Sequence, residues 1–450
     1  MIGVNILQGP QNWQIVQQTN GYARIELSGN IRLDESMRRD DLRIAVHVYD
    51  ENTRNDVLPP VYVRPDGDDR WTARLDVPAG GMYSIATYLR WGERDTYRGD
   101  SIFHVGVGDV YVIAGQSNSF GTSKDNIEDK ISENVHVFRL NGRWDIASHP
   151  LHDTTGAVLE EFYNESAFHS PWLAFARQIS ESTGYPIGLI PTARGGTPLS
   201  WWDAAEDGRL LDAMLYMIRL SGGGVRGILW YQGCNDASEE LSKTYLERSE
   251  SVFADFKKKL NGEISILTVQ LNKQTYIPWE NARHYATVRE AQRQIAKRMK
   301  NVYVVPALDL PVCDSIHNNA ASNLVIARRT ANIALKYIYR QSVVCDFPDI
   351  SEAKRIADNT VRVYFDNVID ALTTDYVHAE TSVFQIEDEE GTADLAEMKY
   401  NGDSTLDLVF ERKIGKNARI GCTKFSDTGT LPYDVATRLP VLAFCDVEIS

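Results

Sequence analysis

Over the first hundred positions, apolar and polar residues alternate with a period of two in short stretches. The segments 22–27, 71–77 and, in part, 42–48 read this way, as does Trp13-Gln-Ile-Val-Gln. Such alternation predicts half-buried strands. Pro78-Ala-Gly-Gly supplies a turn, and 82–89 continues as a further strand. Asp66-Gly-Asp-Asp is read as a turn, because the spaced ligands of a calcium loop are missing. Residues 1–106 are therefore expected to form a small β-sandwich.

Near residue 107 the pattern changes. Apolar runs at 110–114, 135–140, 187–190, 225–231, 264–271 and 302–307 alternate with stripes at helical spacing. One stripe is Trp172, Phe175, Ala176 and Ile179, opening at Ser170-Pro171 and stopped by Gly184. The others are Leu211, Met214, Leu215 and Ile218; Val252, Phe253, Phe256 and Leu260; and Val288, Ala291, Ile295 and Met299. Strands alternating with helices predict an α/β domain over 107–340, with a parallel sheet covered on both faces. Ligands of such sheets bind at the carboxyl ends of the strands. From 341 the period of two returns, in Thr360-Val-Arg-Val-Tyr-Phe, Ser382-Val-Phe-Gln-Ile, Thr405-Leu-Asp-Leu-Val-Phe and Ala418-Arg-Ile-Gly-Cys. This predicts a second β-sandwich over 341–450.

Composition narrows the function. A hydrophobic content of 43% and a charged content of 24% describe a globular protein. No apolar run is long enough to span a bilayer, so no membrane partner is expected. The net charge of −15 argues against a nucleic-acid partner, because phosphate would be repelled, but leaves a neutral sugar open. The five cysteines are odd in number and have no close pairs, which predicts neither a disulfide framework nor a zinc site. Met1-Ile-Gly-Val lacks the basic and apolar regions of a signal peptide.

Candidate chemistry gathers where the central strands end. Gly115-Gln116-Ser117-Asn118 follows the first of them, which exposes a serine hydroxyl at a helix start beside convergent N–H groups. Asn118 is a candidate helix cap. Arg194-Gly195-Gly196-Thr197 follows the strand at 187–190, and paired glycines allow a backbone N–H to approach a ligand closely. Gln232-Gly233-Cys234-Asn235-Asp236 follows 225–231 and offers two side-chain amides. Asp314-Ser315-Ile316-His317 follows 302–307. A carboxylate three residues before a histidine can fix its tautomer while the ring takes a proton from serine.

These four blocks, in this order, resemble the SGNH hydrolase superfamily, and more closely its sialate O-acetylesterase-like carbohydrate esterases. Trp13-Gln-Ile-Val-Gln and Leu439-Pro-Val-Leu-Ala-Phe444 resemble the ends of that family. The resemblance implies a flavodoxin-like three-layer domain with a parallel sheet, flanked by β-sandwiches, and no cofactor or metal. It implies Ser117 as nucleophile, His317 as general base and Asp314 as its orienter. The oxyanion donors it implies are the N–H of Ser117, that of Gly195 or Gly196, and the amide of Asn235 or Gln232. Cys234 stands where the family commonly has a glutamate, and Asn318 where a proline often follows the histidine. The expected activity is removal of acetyl groups from an acetylated carbohydrate, sialic acid or another glycan, in a secreted or periplasmic setting. Arg194 and Trp202 are expected to touch substrate. A binding module on a decayed esterase core and a lipase-like esterase are the rival readings. Trp201, Trp230, Tyr231, Tyr276 and Trp279 could line either kind of pocket, although large aromatics beside a sheet are usually core.

Overall fold

In β3 (Tyr22–Arg32) and β6 (Arg70–Pro78) every second side chain is buried, as the alternation predicts. The computed structural model, which describes residues 2–125, 127–163, 166–262, 264–275, 279–374, 383–422 and 431–450, pairs them in the order β1 (Gly3–Gln8), β3, β6. A second antiparallel layer holds β4 (Arg43–Asp50), β5 (Val61–Val63), β7 (Met82–Trp91) and the first half of β8 (Arg94–Gly115). Leu27, Trp71 and Leu75 of the first layer meet Val46, Ile85 and Val105 of the second in one core. Only Ile15–Gln17 of the stretch after Trp13 forms a strand, β2, lying parallel to 106–108 of β8. Trp13 itself has φ +66, which breaks the extended pattern.

β8 does not stop at residue 106. It pairs antiparallel with β7 as far as Gly106 and then runs between β11 (Ile187–Pro191) and β12 (Gly227–Tyr231), parallel to both. Gly108 permits this passage, since a Cβ there would lie 1.9 Å from the Pro186 carbonyl oxygen. Residues 110–114 are fully buried, which explains why they read as an unbroken apolar run rather than an alternating one.

The central strand order is β10 (Trp144–Ile146), β9 (Val135–Phe138), β11, β8, β12, β13 (Ser265–Gln270), β14 (Val302–Pro306). All are parallel except the edge strand β10. After β8 the chain builds β9 and β11 on one side, then β12 to β14 on the other. The order therefore reverses at β8, and ligands of such sheets bind beyond the carboxyl end of the strand where this happens. The helix pairs α2 (Trp172–Thr183) with α6 (Ala320–Tyr337), and α4 (Glu239–Lys259) with α5 (Trp279–Arg298), pack against this sheet. α3 (Arg209–Ser221) contacts β11. Gly184 ends α2 with φ +74, as read, but Ser170 does not cap it: Pro171 is the cap residue, with no side-chain cap bond.

The C-terminal residues form one antiparallel order: β15 (Asp349–Ala357), β16 (Thr360–Asp366), β20 (Thr405–Phe410), β19 (Gly391–Tyr400), β18 (Phe384–Asp388), β21 (Arg419–Cys422) and β23 (Val447–Glu448). A separate pair joins β17 (Leu372–Thr373) to β22 (Tyr433–Asp434). This unit is fastened to the central one. The Gln270 amide exchanges two hydrogen bonds with the Ala443 backbone, at 2.9 and 3.0 Å, and buried Arg293 pairs with Asp349 at 2.9 Å.

Candidate active site

Gly115 ends β8 with φ +118, and a Cβ there would lie 2.3 Å from the Tyr231 carbonyl oxygen. Glycine is what lets β8 turn this close to β12. The short helix α1 (Ser117–Phe120) begins at once, with Gln116 as its cap residue. Asn118 is not the cap. Its side chain crosses to the histidine loop, where Oδ1 accepts the Asn318 N–H and Nδ2 donates to the Ile316 carbonyl, both at 3.0 Å.

Ser117 is 8% exposed, and its Oγ lies 3.0 Å from His317 Nε2. His317 Nδ1 lies 2.7 Å from Asp314 Oδ2. Asp314 Oδ1 accepts the N–H groups of Ile316 and His317, both at 2.8 Å. Burial opposes the charged carboxylate. The N–H of Ile316 and the imidazole outweigh it and hold Asp314 below the usual carboxylate range. An ionised partner at Nδ1 makes that nitrogen the donor, which leaves Nε2 to accept from serine.

The loop carrying the histidine is braced by amides. Asn272 Nδ2 donates to the Ile316 carbonyl at 2.8 Å and to Asn318 Oδ1 at 2.9 Å, and Asn318 Nδ2 donates to the Tyr231 hydroxyl at 3.1 Å. The absence of a proline after His317 thus leaves a buried asparagine that pins the loop.

The second block is tied to β8. The Thr192 N–H and hydroxyl both donate to the Ile113 carbonyl at 2.8 Å, and the Arg194 N–H donates to Gly115 at 3.1 Å. The Ala193 N–H donates to Nε2 of the buried His152 at 3.2 Å, a partner the sequence did not suggest. Gly196 follows, exposed at φ +64 with open space above it. Gly195 beside it is half-buried.

The two candidate amides part company. Gln232 is fully buried, and its amide donates to the Thr197 carbonyl at 3.2 Å and to Asp236 at 2.6 Å, while its oxygen accepts from Tyr245. Both N–H groups are used, so Gln232 is not an oxyanion donor. Asn235 is exposed. Its Oδ1 accepts from Gln116 at 3.0 Å and its Nδ2 donates to the Gly196 carbonyl at 3.1 Å, which leaves its second N–H. Gln116 also accepts the Gly233 N–H at 2.9 Å, so one buried amide joins the serine turn to the asparagine turn. The sequence signal for that role was its place next to Ser117.

Trp202 is a second correction. It is fully buried, packed edge-on against Trp230 at 5.2 Å and Phe256 at 6.3 Å, and belongs to the core. Half-buried Trp201 is the tryptophan beside Arg194, whose guanidinium lies 5.7 Å from its ring and also donates to the Glu161 carbonyl. Asp236 pairs with Arg248 instead, at 3.0 Å. Trp230 and Tyr231 are core; Tyr276 and the Trp279 side chain lie outside the described residues. Burial pushes the Cys234 thiol up to about 12, so its sulfur is protonated at neutral pH and a poor nucleophile. Among the described residues one trio could approach a cation, Asp129, His149 and His169, and Asp129 is already paired with Arg177 at 2.5 Å.

A serine, a histidine accepting from it, a carboxylate behind the ring and a glycine turn at the switch point of a parallel sheet suit acyl transfer. The family model for carbohydrate esterases of the sialic acid-specific acetylesterase type matches residues 107–336, and the chain belongs to this family, whose members hydrolyse esters. A probable carbohydrate esterase of Arabidopsis thaliana is 28% identical over 234 residues, which are 46% of this chain and 83% of that protein. The crystal structure of a carbohydrate acetylesterase from Xanthomonas citri shares the fold, with a TM-score of 0.68 at 18% identity over 97% of this chain and 99% of that one.

Proposed function

We propose that this chain removes O-acetyl groups from a carbohydrate through a covalent acyl-enzyme on Ser117. Ser117 Oγ attacks the ester carbonyl carbon as His317 Nε2 takes the hydroxyl proton. Asp314 holds the ring and offsets its positive charge. The tetrahedral oxyanion is met by the N–H of Ser117, that of Gly195 or Gly196, and Asn235 Nδ2; each such donor contributes about 10²–10³-fold in rate. The carbon–oxygen bond to the sugar then breaks, and His317 returns the proton to the departing hydroxyl. Water repeats the sequence and releases acetate.

The observation that carries this reading is the line from Ser117 through His317 to Asp314, at 3.0 and 2.7 Å. Family membership supports the ester bond and the carbohydrate. The same reading takes 107–340 as an SGNH hydrolase unit and 1–106 and 341–450 as β-sandwich flanks. The parallel order around β8 and the antiparallel strands on either side support that division, with β8 passing through its first boundary. Arg194, held against Trp201, braces the glycine turn. Arg194→Met should therefore lower kcat/KM on acetylated sialic acid and on a neutral acetylated sugar by the same factor.

The test is acetate release from acetylated sialic acids, xylans and bacterial capsules, with Ser117→Ala as control. Release from at least one, abolished by the substitution, is the expected result. A wild-type enzyme inert on all of them and on p-nitrophenyl acetate would favour a binding protein instead.

A further inference from the structure

One cavity lies away from Ser117. It has a volume of 770 Å³ and opens between β4, β7 and the first half of β8 on one side and residues 133–146 on the other. Measured along β8, His104 stands on the order of 30 Å before the serine turn. Three aromatic rings make one wall. Trp13 stacks on His104 with centroids 3.9 Å apart and planes 21° apart, and Phe103, 41% exposed, lies 6.5 Å from His104 with its ring tilted by 48°.

This wall is held in a costly conformation. Trp13 and His104 have φ of +66 and +58, a region that histidine enters more readily than tryptophan, at a cost of about 1–3 kcal/mol for the tryptophan. Neighbouring groups hold both in place. Glu51 accepts the His104 N–H at 2.8 Å and faces its Nδ1 at 2.9 Å, and Ser84 donates to the same carboxylate at 2.6 Å. The Trp13 N–H donates to the Phe103 carbonyl at 3.1 Å, and its own carbonyl lies 2.5 Å from His136 Nδ1. Strain kept at a stacked ring beside a cavity is a reason to look for a ligand. One side of Trp13 packs on the central core and on buried His136, at 5.3 Å, and the half-buried remainder of the ring faces the cavity.

We propose that this cavity is a second, non-catalytic binding site for a neutral glycan chain. A pyranose has an apolar C–H face, which suits an exposed aromatic ring such as Phe103 or the outer face of the Trp13–His104 stack, and a rim of hydroxyls, which needs donors and acceptors at the edge. Asn52, Arg54 and Glu133 supply that edge. Acidic and basic groups are mixed there, and Glu51 is engaged with His104. In a chain of net charge −15 this leaves no cationic surplus to attract an acidic sugar. The site goes beyond the proposed esterase reaction and does not depend on it.

Native gels cast with deacetylated xylan, mixed-linkage β-glucan or galactomannan test the proposal, since none of these is a substrate. Retardation of the full chain in at least one gel is expected, and Ser117→Ala should be retarded equally. Phe103→Ala and Arg54→Ala, both at exposed positions, should each weaken binding about 5–10-fold and keep wild-type turnover of p-nitrophenyl acetate. Retardation in no gel, or equal retardation of wild type, Phe103→Ala and Arg54→Ala, would overturn it.

Discussion

The histidine of the proposed reaction is useful only in one tautomer, and Asp314 sets it. Ser117→Ala should lower kcat/KM on p-nitrophenyl acetate by about 10⁴-fold or more, and Asp314→Asn by about 10²–10⁴-fold, because an amide permits the wrong tautomer. Steady-state kinetics at saturating and limiting substrate checks both. A second residue-scale consequence concerns His152. Burial pushes its imidazole down to about 3, so the folded protein keeps it neutral beneath the Ala193 N–H, while the unfolded chain takes up a proton below 6.5. Its contribution is complete above pH 6.5 and is lost as pH falls toward 3, at about 1.4 kcal/mol per pH unit. Acid titration of thermal stability should be shallower by one proton in His152→Leu than in wild type. Ser117, Asp314 and His317 were legible because each is announced by its neighbours in sequence. Gln232 and Trp202 misled because only partners far along the chain, Thr197 and Tyr245 for one and Phe256 for the other, decide which way they face.

Among the elements, the turn at Gly115 bears the most constraint. Gly115→Ala would press a methyl group into the Tyr231 carbonyl and strain a positive φ, so it should destabilise the fold by about 2 kcal/mol or more and lower kcat more than KM. Denaturant melting alongside kinetics separates the two effects. The parallel strands were readable from apolar runs, since strands covered on both faces cannot alternate. The helix α6 was not. Its buried residues mix Ile326, Ile333 and Leu335 with small alanines and with Ser322, Asn323, Arg329 and Thr330, so no single apolar stripe stands out. Its cap, Asn319 accepting the Ser322 N–H at 2.8 Å, was the overlooked signal. The left-handed backbone at Trp13 is invisible in sequence, because backbone handedness leaves no mark in an alternation of polar and apolar residues.

At the scale of the molecule, β8 belongs to two sheets, so the N-terminal layers cannot swing on a hinge near 106. Heating should melt residues 2–340 in one transition, and limited trypsin should release no folded fragment ending near 106. Two separate calorimetric transitions for these regions would contradict this. The change of pattern near 107 was visible in sequence. That one strand carries both patterns was not, because hydrogen bonding passes through a point where only the surroundings change, from one covered face to two.

The double membership of β8 also has a consequence for synthesis. Its first half can pair with β7 as soon as it leaves the ribosome, but 110–114 must wait for β11 and β12. Tyr231 follows Gly115 by 116 residues, a delay of about 6–23 s at ordinary elongation rates. Until β11 is made this apolar segment hangs unpaired from an already folded N-terminal layer, and until β12 is made it is paired on one side only. A nascent chain stalled near residue 150 should therefore recruit a holding chaperone through this segment, and one stalled past residue 300 should not.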